Sequence, residues 1–415
     1  MTIDRQGSCI PTPVHGSDSA AGKNWLALRN RIMIRAQEFL GQQGSQHGSA
    51  CRQALLTVDV VMTLHVGSPF VRWFASIGLA DRPTVGGKAA SLGELDRAGL
   101  RVPPGFVVTT AAFERMLAAL DADGSIRARI ARLDPNDVPG VSNACAEIRE
   151  RIEKASCPPE LHAVLVEAYR ELSDRERDLP VAVRSSVTRD DGADGSFAGL
   201  QDTFLWVRGL EGVAHCVRSC WASLYSVESV TQRLRLKLPE RNVAMGVIVQ
   251  RMVNAQCSGV MFTRSPATGD RSVIAIEGSW GLGSCIVSGE VTPDEFVVNK
   301  VTGEIAARTV SDKLTQHLPD VIAGGVRREA VPDDLRAVQC LTDAQVVELG
   351  QIAKRVERHY GSAQDIEWAI AQGERGVYLL QSRPETVWAH REASAIAAPK
   401  IKTFEHVVSL SGRQH

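Results

Sequence analysis

Three things are missing from this 415-residue chain: net charge, a membrane-length apolar run and an extracellular cysteine framework. The formal net charge is -1, which leaves no overall field to draw nucleic acid or an anionic membrane, so any affinity for phosphate has to be local. No apolar stretch approaches the roughly 18 residues that a spanning helix needs. The run from Leu55 to Leu64 carries Asp59 and lies too far from the start for a signal peptide. Nine cysteines, at 9, 51, 145, 157, 216, 220, 257, 285 and 340, are scattered unlike a secreted disulfide framework, so a reducing cytoplasm is expected. Cys216 and Cys220 share a helical stretch, but no second ligand pair accompanies them, which favours packing over a metal site. A Walker A loop is missing too.

What is present is an ordinary globular composition, long enough for a large core and two or three domains or subdomains. Residues 1–61 differ, with a Gly/Ser/Gln/His-rich patch at 41–49 that is poor material for a core. They are expected to be a dispensable, disordered extension with one short helix at Trp25–Leu40, ahead of Met62. From Thr84 onward strands and helices alternate. A turn at Gly99–Gly105 leads into a strand at Phe106–Val108 and a helix from about Ala111, with Thr110 as its N-cap. Residues 141–175 have helical spacing, and Val181–Val183 is a short buried strand. Met245–Val253 is too β-rich for a helix, and further strands are expected at Val273–Ile276, Glu295–Val298, Glu304–Val310 and Gly376–Leu380. Several antiparallel hairpins argue for a mixed α+β fold rather than a simple doubly wound sheet. The expected division is a first subdomain over 62–240, a second over 241–390 and a tail over 391–415.

Three places carry candidate chemistry. Gly86-Gly87-Lys88 at a helix start offers permissive backbone, unpaired helix N–H groups and an ammonium, although in isolation a solvated lysine after a turn is the better account of it. Arg184 follows an apolar strand, and behind it runs a loop, 188–204, whose glycines would let amides close over phosphate oxygens as a lid. The alternative there is a solvated loop. Asp365 and Glu367 alternate with Ile366 and Trp368, so on a strand both carboxylates share one face, as do Gln381 and Arg383 a few residues on. Such a set suits a hard cation bound with phosphate, or else a surface ion-pair ladder.

In order along the chain, Gly-Gly-Lys-Ala-Ala-Ser-Leu-Gly-Glu, Val-Arg-Ser-Ser, Ser-Phe-Ala-Gly-Leu-Gln-Asp-Thr-Phe, Val-Gln-Arg-Met-Val, Gly-Ser-Trp-Gly-Leu-Gly, Thr-Pro-Asp-Glu-Phe, Asp-Ile-Glu-Trp and Gln-Ser-Arg-Pro resemble the N-terminal ATP-binding domain of the phosphoenolpyruvate synthase and pyruvate phosphate dikinase family. The resemblance covers about 71–388. It implies an ATP-grasp-like fold with two subdomains enclosing a nucleotide cleft, and ATP with Mg2+ as cofactors. By the same resemblance Lys88 and Arg184 are phosphate-binding cations, and Gly199 and Thr203 are lid contacts. Gln250 lies on the adenine-hinge strand, where backbone groups at Met252 and Val253 would read the base. Glu367 and Gln381 are the metal pair, Arg383 sits at the transferred phosphoryl group with Asp365 in support, and Trp280 to Gly283 form a structural turn. Ser284 departs from the acid that many relatives carry after Gly-Leu-Gly, and the connection from Glu367 to Gln381 is slightly long.

None of the ten histidines sits in the Thr- and Gly-rich setting of the family's phosphorylated histidine. The expectation is therefore an ATP-binding subunit of a split dikinase-type phosphotransferase, with a partner chain carrying the phosphohistidine and acceptor domains, and with neither nucleic acid nor membrane as partner. The acceptor would be pyruvate, water, or an alcohol or phenol, as in phenylphosphate synthase or rifampicin phosphotransferase. A non-catalytic nucleotide-binding protein and a truncated product are the rivals.

Overall fold

The computed structural model describes residues 2–3, 9–10, 68–174, 178–188, 202–240 and 243–388. The chain divides into two compact units, Met1–Ser68 and Pro69–His415. In the first, β1 (Thr2–Ile3) and β2 (Cys9–Ile10) pair antiparallel. The helix expected at Trp25–Leu40, the lid residues 189–201 with Gly199, and the tail lie outside the described residues.

The second unit is built on two antiparallel sheets. The first holds β3 (Val71–Trp73), β4 (Gly105–Val108), β5 (Val181–Val187), β6 (Thr203–Val207) and β7 (Met245–Arg251), in the order β3-β4-β7-β5-β6. Central β7 is buried from Met245 to Gln250, because its nearly unbroken apolar run suits a strand covered on both faces. Between β3 and β7 come α1 (Arg82–Val85), α2 (Gly87–Arg97), α3 (Thr110–Leu120), α4 (Ser125–Ala131), α5 (Val138–Lys154), α6 (Pro159–Leu172), α7 (Gly209–Ser223) and α8 (Val227–Arg235). The apolar faces of α3 to α8 close one core over this sheet, with Phe113, Ile148, Leu165 and Trp221 packed against Phe106, Val183 and Val249.

The second sheet takes β8 (Ala255–Phe262), β9 (Val273–Trp280), β10 (Asp294–Asn299) and β11 (Ile305–Thr309). A separate hairpin of β12 (Thr315–Pro319) and β13 (Val326–Ala330) follows, and then β14 (Gln364–Ala371) and β15 (Val377–Pro384) complete the sheet in the order β11-β10-β9-β8-β14-β15. Here α9 (Ser284–Val287) and α10 (Asp333–Arg336) are single turns, whereas α11 (Asp343–Tyr360) covers the sheet. Thr342 and Gln345 cap its start reciprocally, and Gly361 ends it at φ 69°. Leu349, Ala353 and Val356 of α11 meet Ile276, Phe296 and Trp368 in the second core.

Helix α2 belongs to both sheets. Ala89, Ala90 and Leu92 pack with Val107 and Ile248 of the first, while Leu95, one turn further, enters the core of the second. Each buried leucine contributes roughly 1.5–3 kcal/mol, so the helix is held firmly from both sides.

Several expectations need correction. The division placed at 240/241 precedes β7, which pairs with β4 and β5, so the chain changes sheets at 252–254 instead. The helical stretch expected over 141–175 is two helices, because Pro158 and Pro159 break it and Pro159 opens α6. Thr110 is the first residue of α3 and Thr109 its N-cap, with the Thr109 hydroxyl turned to the Pro69 carbonyl. The seven cysteines from Cys145 to Cys340 are free thiols, and Cys216 and Cys220 are packed in the core as expected. Among the described residues no helix is long and apolar enough to cross a membrane.

Candidate functional site

The site forms where β5 of the first sheet faces β14 and β15 of the second. Arg184 was expected just past its strand. It lies within β5, which runs on to Val187, because Ser185 and Ser186 are fully buried ladder residues rather than a polar strand end. Every other residue of β5 is buried, and the Arg184 side chain, 13% exposed, crosses to the second sheet. Its Nη1 donates to the Leu380 carbonyl at 3.0 Å, and its Nη2 donates to Gln381 Oε1 at 2.6 Å and to Glu367 Oε2 at 3.1 Å.

That reach depends on the register of the hairpin. Glu367 is directly opposite Gln381 and Asp365 opposite Arg383, so the slightly long connection does not disturb the pairing. Beyond Glu367 the register shifts, so that Trp368 faces Leu379 and Leu380 is the extra residue. The bulge leaves the Leu380 carbonyl in position to receive Arg184. Ile366 and Trp368 are buried in the core, as the alternation required.

Arg383 is half exposed and its Nε donates to Asp365 Oδ2 at 3.3 Å. Burial pushes the Asp365 carboxyl up to about 6 against the opposing pull of Arg383, and Asp365 Oδ1 is buried with no hydrogen-bond partner among the described residues. Arg184 Nε is likewise buried and has no hydrogen-bond partner among the described residues. Such a donor costs about 1–3 kcal/mol, which an oxygen of a bound anion would offset.

Lys88, half-buried, is the second residue of α2. The helix start is seated on β5, where Ser186 Oγ accepts from the Ala89 N–H at 3.1 Å. Gly86, at φ 83°, lies so close that an added Cβ would stand 2.0 Å from the Ser186 carbonyl oxygen, so only glycine fits. Ser186 and Arg184 share one face of β5, which brings the N-terminus of α2, the positive end of its dipole, alongside the guanidinium. Thr203, exposed on β6, is the register partner of Arg184.

Gln250 is buried, and its amide donates to the Pro103 carbonyl at 3.0 Å. The Met252 N–H is bonded to the Pro180 carbonyl. Val253 and Met252 then join Leu380 in a small apolar cluster, so the end of β7 meets the strand that carries Gln381. Trp280 and Gly281 form a structural turn, with the indole N–H on the Leu335 carbonyl at 3.0 Å and Gly281 at φ 74° against His317. Ser284 Oγ pairs with His317 Nδ1 at 2.9 Å, a partner with no signal in the sequence.

Among the described residues no three His, Cys, Asp or Glu side chains cluster as a metal site. The donor set is instead one carboxylate and one amide oxygen, Glu367 and Gln381, converging on the single cationic nitrogen Arg184 Nη2. Oxygen donors that already hold a positive centre between them fit Mg2+, whose remaining ligands are commonly phosphate and water.

Residues 82–403 match the pyruvate phosphate dikinase AMP/ATP-binding domain. The chain belongs to this family. The match bears out the resemblance drawn from the motifs, and the mixed α+β fold is ATP-grasp-like. The chain is similar to a probable phosphoenolpyruvate synthase of Methanothermobacter thermautotrophicus, at 40% identity over 78% of this chain and 48% of that protein. It is also similar to phosphoenolpyruvate synthase of Pyrococcus furiosus, at 35% identity over 83% of this chain and 47% of the relative. Rifampicin phosphotransferase of a Streptomyces species is 42% identical over 74% of this chain and 35% of its own length. The chain thus spans about half the length of the phosphoenolpyruvate synthases it matches.

Proposed function

We propose that this chain binds Mg-ATP between its two sheets and presents it for phosphoryl transfer to a histidine on a partner chain or domain, in a phosphoenolpyruvate synthase-like, dikinase-type reaction. The observation that carries the proposal is the convergence of Arg184, Glu367 and Gln381, with Arg383 beside them on the same strand. Lys88 and Arg184 would hold the phosphates, joined by Thr203 and, from the lid, Gly199. Backbone groups at Met252 and Val253, at the end of the Gln250 strand, would contact the base. Glu367 and Gln381 would hold Mg2+, which when bound neutralises charge on the phosphate oxygens. Arg383, held by Asp365 yet half exposed, would swing onto the phosphoryl group and stabilise charge as it moves to the acceptor.

The match to rifampicin phosphotransferase supports a second acceptor, an alcohol or phenol hydroxyl in place of pyruvate. Both versions share the ATP half-reaction, so one experiment tests it. The chain is titrated with Mg-ATP by calorimetry and then incubated with γ- or β-labelled ATP and whatever co-purifies with it from its host. Saturable Mg-ATP binding and label on a partner histidine are expected. Arg383→Ala is expected to bind ATP, keep its fold and transfer no label. Absence of ATP binding, or full transfer by the variant, would overturn the proposal.

A further inference from the structure

Two serines in the site motifs have no part in these nucleotide contacts. Ser91 belongs to the glycine-rich segment that opens α2, and Ser382 stands between Gln381 and Arg383. Although 291 positions apart in the chain, they meet: Ser91 Oγ donates to the Ser382 carbonyl at 2.7 Å, and the two residues are only 7% and 3% exposed. With its one proton given to Ser382, Ser91 Oγ can only accept from the Tyr360 hydroxyl, 3.1 Å away at the end of α11, which also donates to the Ser91 carbonyl at 3.3 Å. Three elements, α2, β15 and α11, therefore join at one buried hydroxyl. The Ser382 side chain is separately engaged, donating to Gln364 Oε1 at 2.9 Å.

The position of this junction matters. Ser91 follows Lys88 by three residues and so lies one helical turn behind it on the same side of α2. β15 is the edge strand of its sheet, so its outer backbone is open to a covering helix. The other anchor of α2, the Ala89 N–H on Ser186, ties it to the sheet that carries Arg184. One short helix segment thus takes its bearing from both halves of the site, and Ser91 supplies the bearing on Gln381 and Arg383. Packing alone does not call for a hydroxyl: neighbouring Ala89, Ala90 and Leu92 are apolar and fully buried, and alanine is the better helix former.

We infer that Ser91 is a positioning residue for phosphoryl transfer, its bond to the Ser382 carbonyl holding Lys88 in register with Gln381 and Arg383 so that they meet the same terminal phosphates. The inference rests on the nucleotide reading proposed above. It separates from a purely structural clamp because a clamp supports every ligand alike, whereas Lys88 and Arg383 would contact phosphates that AMP lacks.

The test uses the full chain and calorimetric titration with Mg-ATP and with AMP. Ser91→Ala is expected to weaken Mg-ATP about tenfold and AMP less than about twofold, a loss in the range of one buried hydrogen bond. Ser91→Cys, similar in size but a weaker donor, is expected to fall between the alanine variant and wild type, and it carries the test if the alanine variant does not fold. Tyr360→Phe leaves Ser91 its bond to Ser382 and is expected to keep the wild-type ratio of ATP to AMP affinity. Equal losses for both nucleotides, no loss for either, or an unchanged ratio in the cysteine variant would overturn the role of Ser91. A wild-type chain that fails to prefer Mg-ATP to AMP, with Lys88→Ala equally indifferent, would instead overturn the nucleotide reading itself.

Discussion

Replacing Arg184 with methionine should loosen the hold on ATP and, in the same protein, tighten the hold on a divalent ion offered alone. The guanidinium nitrogen Nη2 lies 2.6 Å from Gln381 Oε1 and 3.1 Å from Glu367 Oε2, the two oxygens proposed for the metal. An ion that takes both must first displace a charge-assisted hydrogen bond, which costs about 1.5–3 kcal/mol. Glu367 is 33% exposed, so water screens part of that interaction and the lower end applies. About 1.5 kcal/mol corresponds to roughly tenfold in affinity. Methionine retains the apolar stem within β5 but leaves both oxygens to the ion. Titration with Mn2+ in the absence of nucleotide, followed by electron paramagnetic resonance of the free ion, should therefore show binding about tenfold tighter in Arg184→Met than in wild type. Adding Glu367→Gln should remove the gain, while Mg-ATP affinity falls in both variants because phosphate loses a cation. Equal Mn2+ affinity in wild type and Arg184→Met would refute the argument that the guanidinium and the metal use the same oxygens.

Two further predictions concern stability. Lys313 and Asp294 form a fully buried ion pair at 2.6 Å, and Asp294 also accepts from the Ser311 and Cys340 N–H groups. Lys313→Met leaves a buried carboxylate with those two bonds only, and urea denaturation should show a loss of about 3 kcal/mol; a loss below about 1 kcal/mol would contradict this account. Asp365, lifted by burial from its ordinary 3.8 to about 6, holds its proton more tightly folded than unfolded. Its contribution is fully favourable below its unfolded value and is lost as pH rises through about 6, by at most roughly 3 kcal/mol. Asp365→Asn should therefore gain stability relative to wild type between pH 4.5 and pH 7, and a difference that stays constant over that range would remove burial as the cause.

The two carboxylates of β14 were legible because strand alternation has a period of two: once Ile366 and Trp368 go to the core, Asp365 and Glu367 must face the other way. Arg184 was recognisable as a cation on a buried strand, but its place within the strand was not, since Ser185 and Ser186 give the same polar signal whether they end a strand or are buried inside one. The subdomain boundary was misplaced for a related reason. The loop before β7 resembles a linker locally, and only the pairing of β7 with β4 and β5 assigns it to the first sheet.

Local patterning and the ordered motifs, then, determined the family, the mixed architecture and the residue types of the site, because periodicity and backbone preference act over a few residues. The tertiary structure decided which of those residues meet. The bulge that turns the Leu380 carbonyl toward Arg184, the opposition of Glu367 and Gln381, and the contact of Ser91 with Ser382 all join segments distant in sequence. Such contacts depend on strand register and on how a helix lies across two sheets, and these are fixed by the shared cores rather than by any stretch of sequence read on its own.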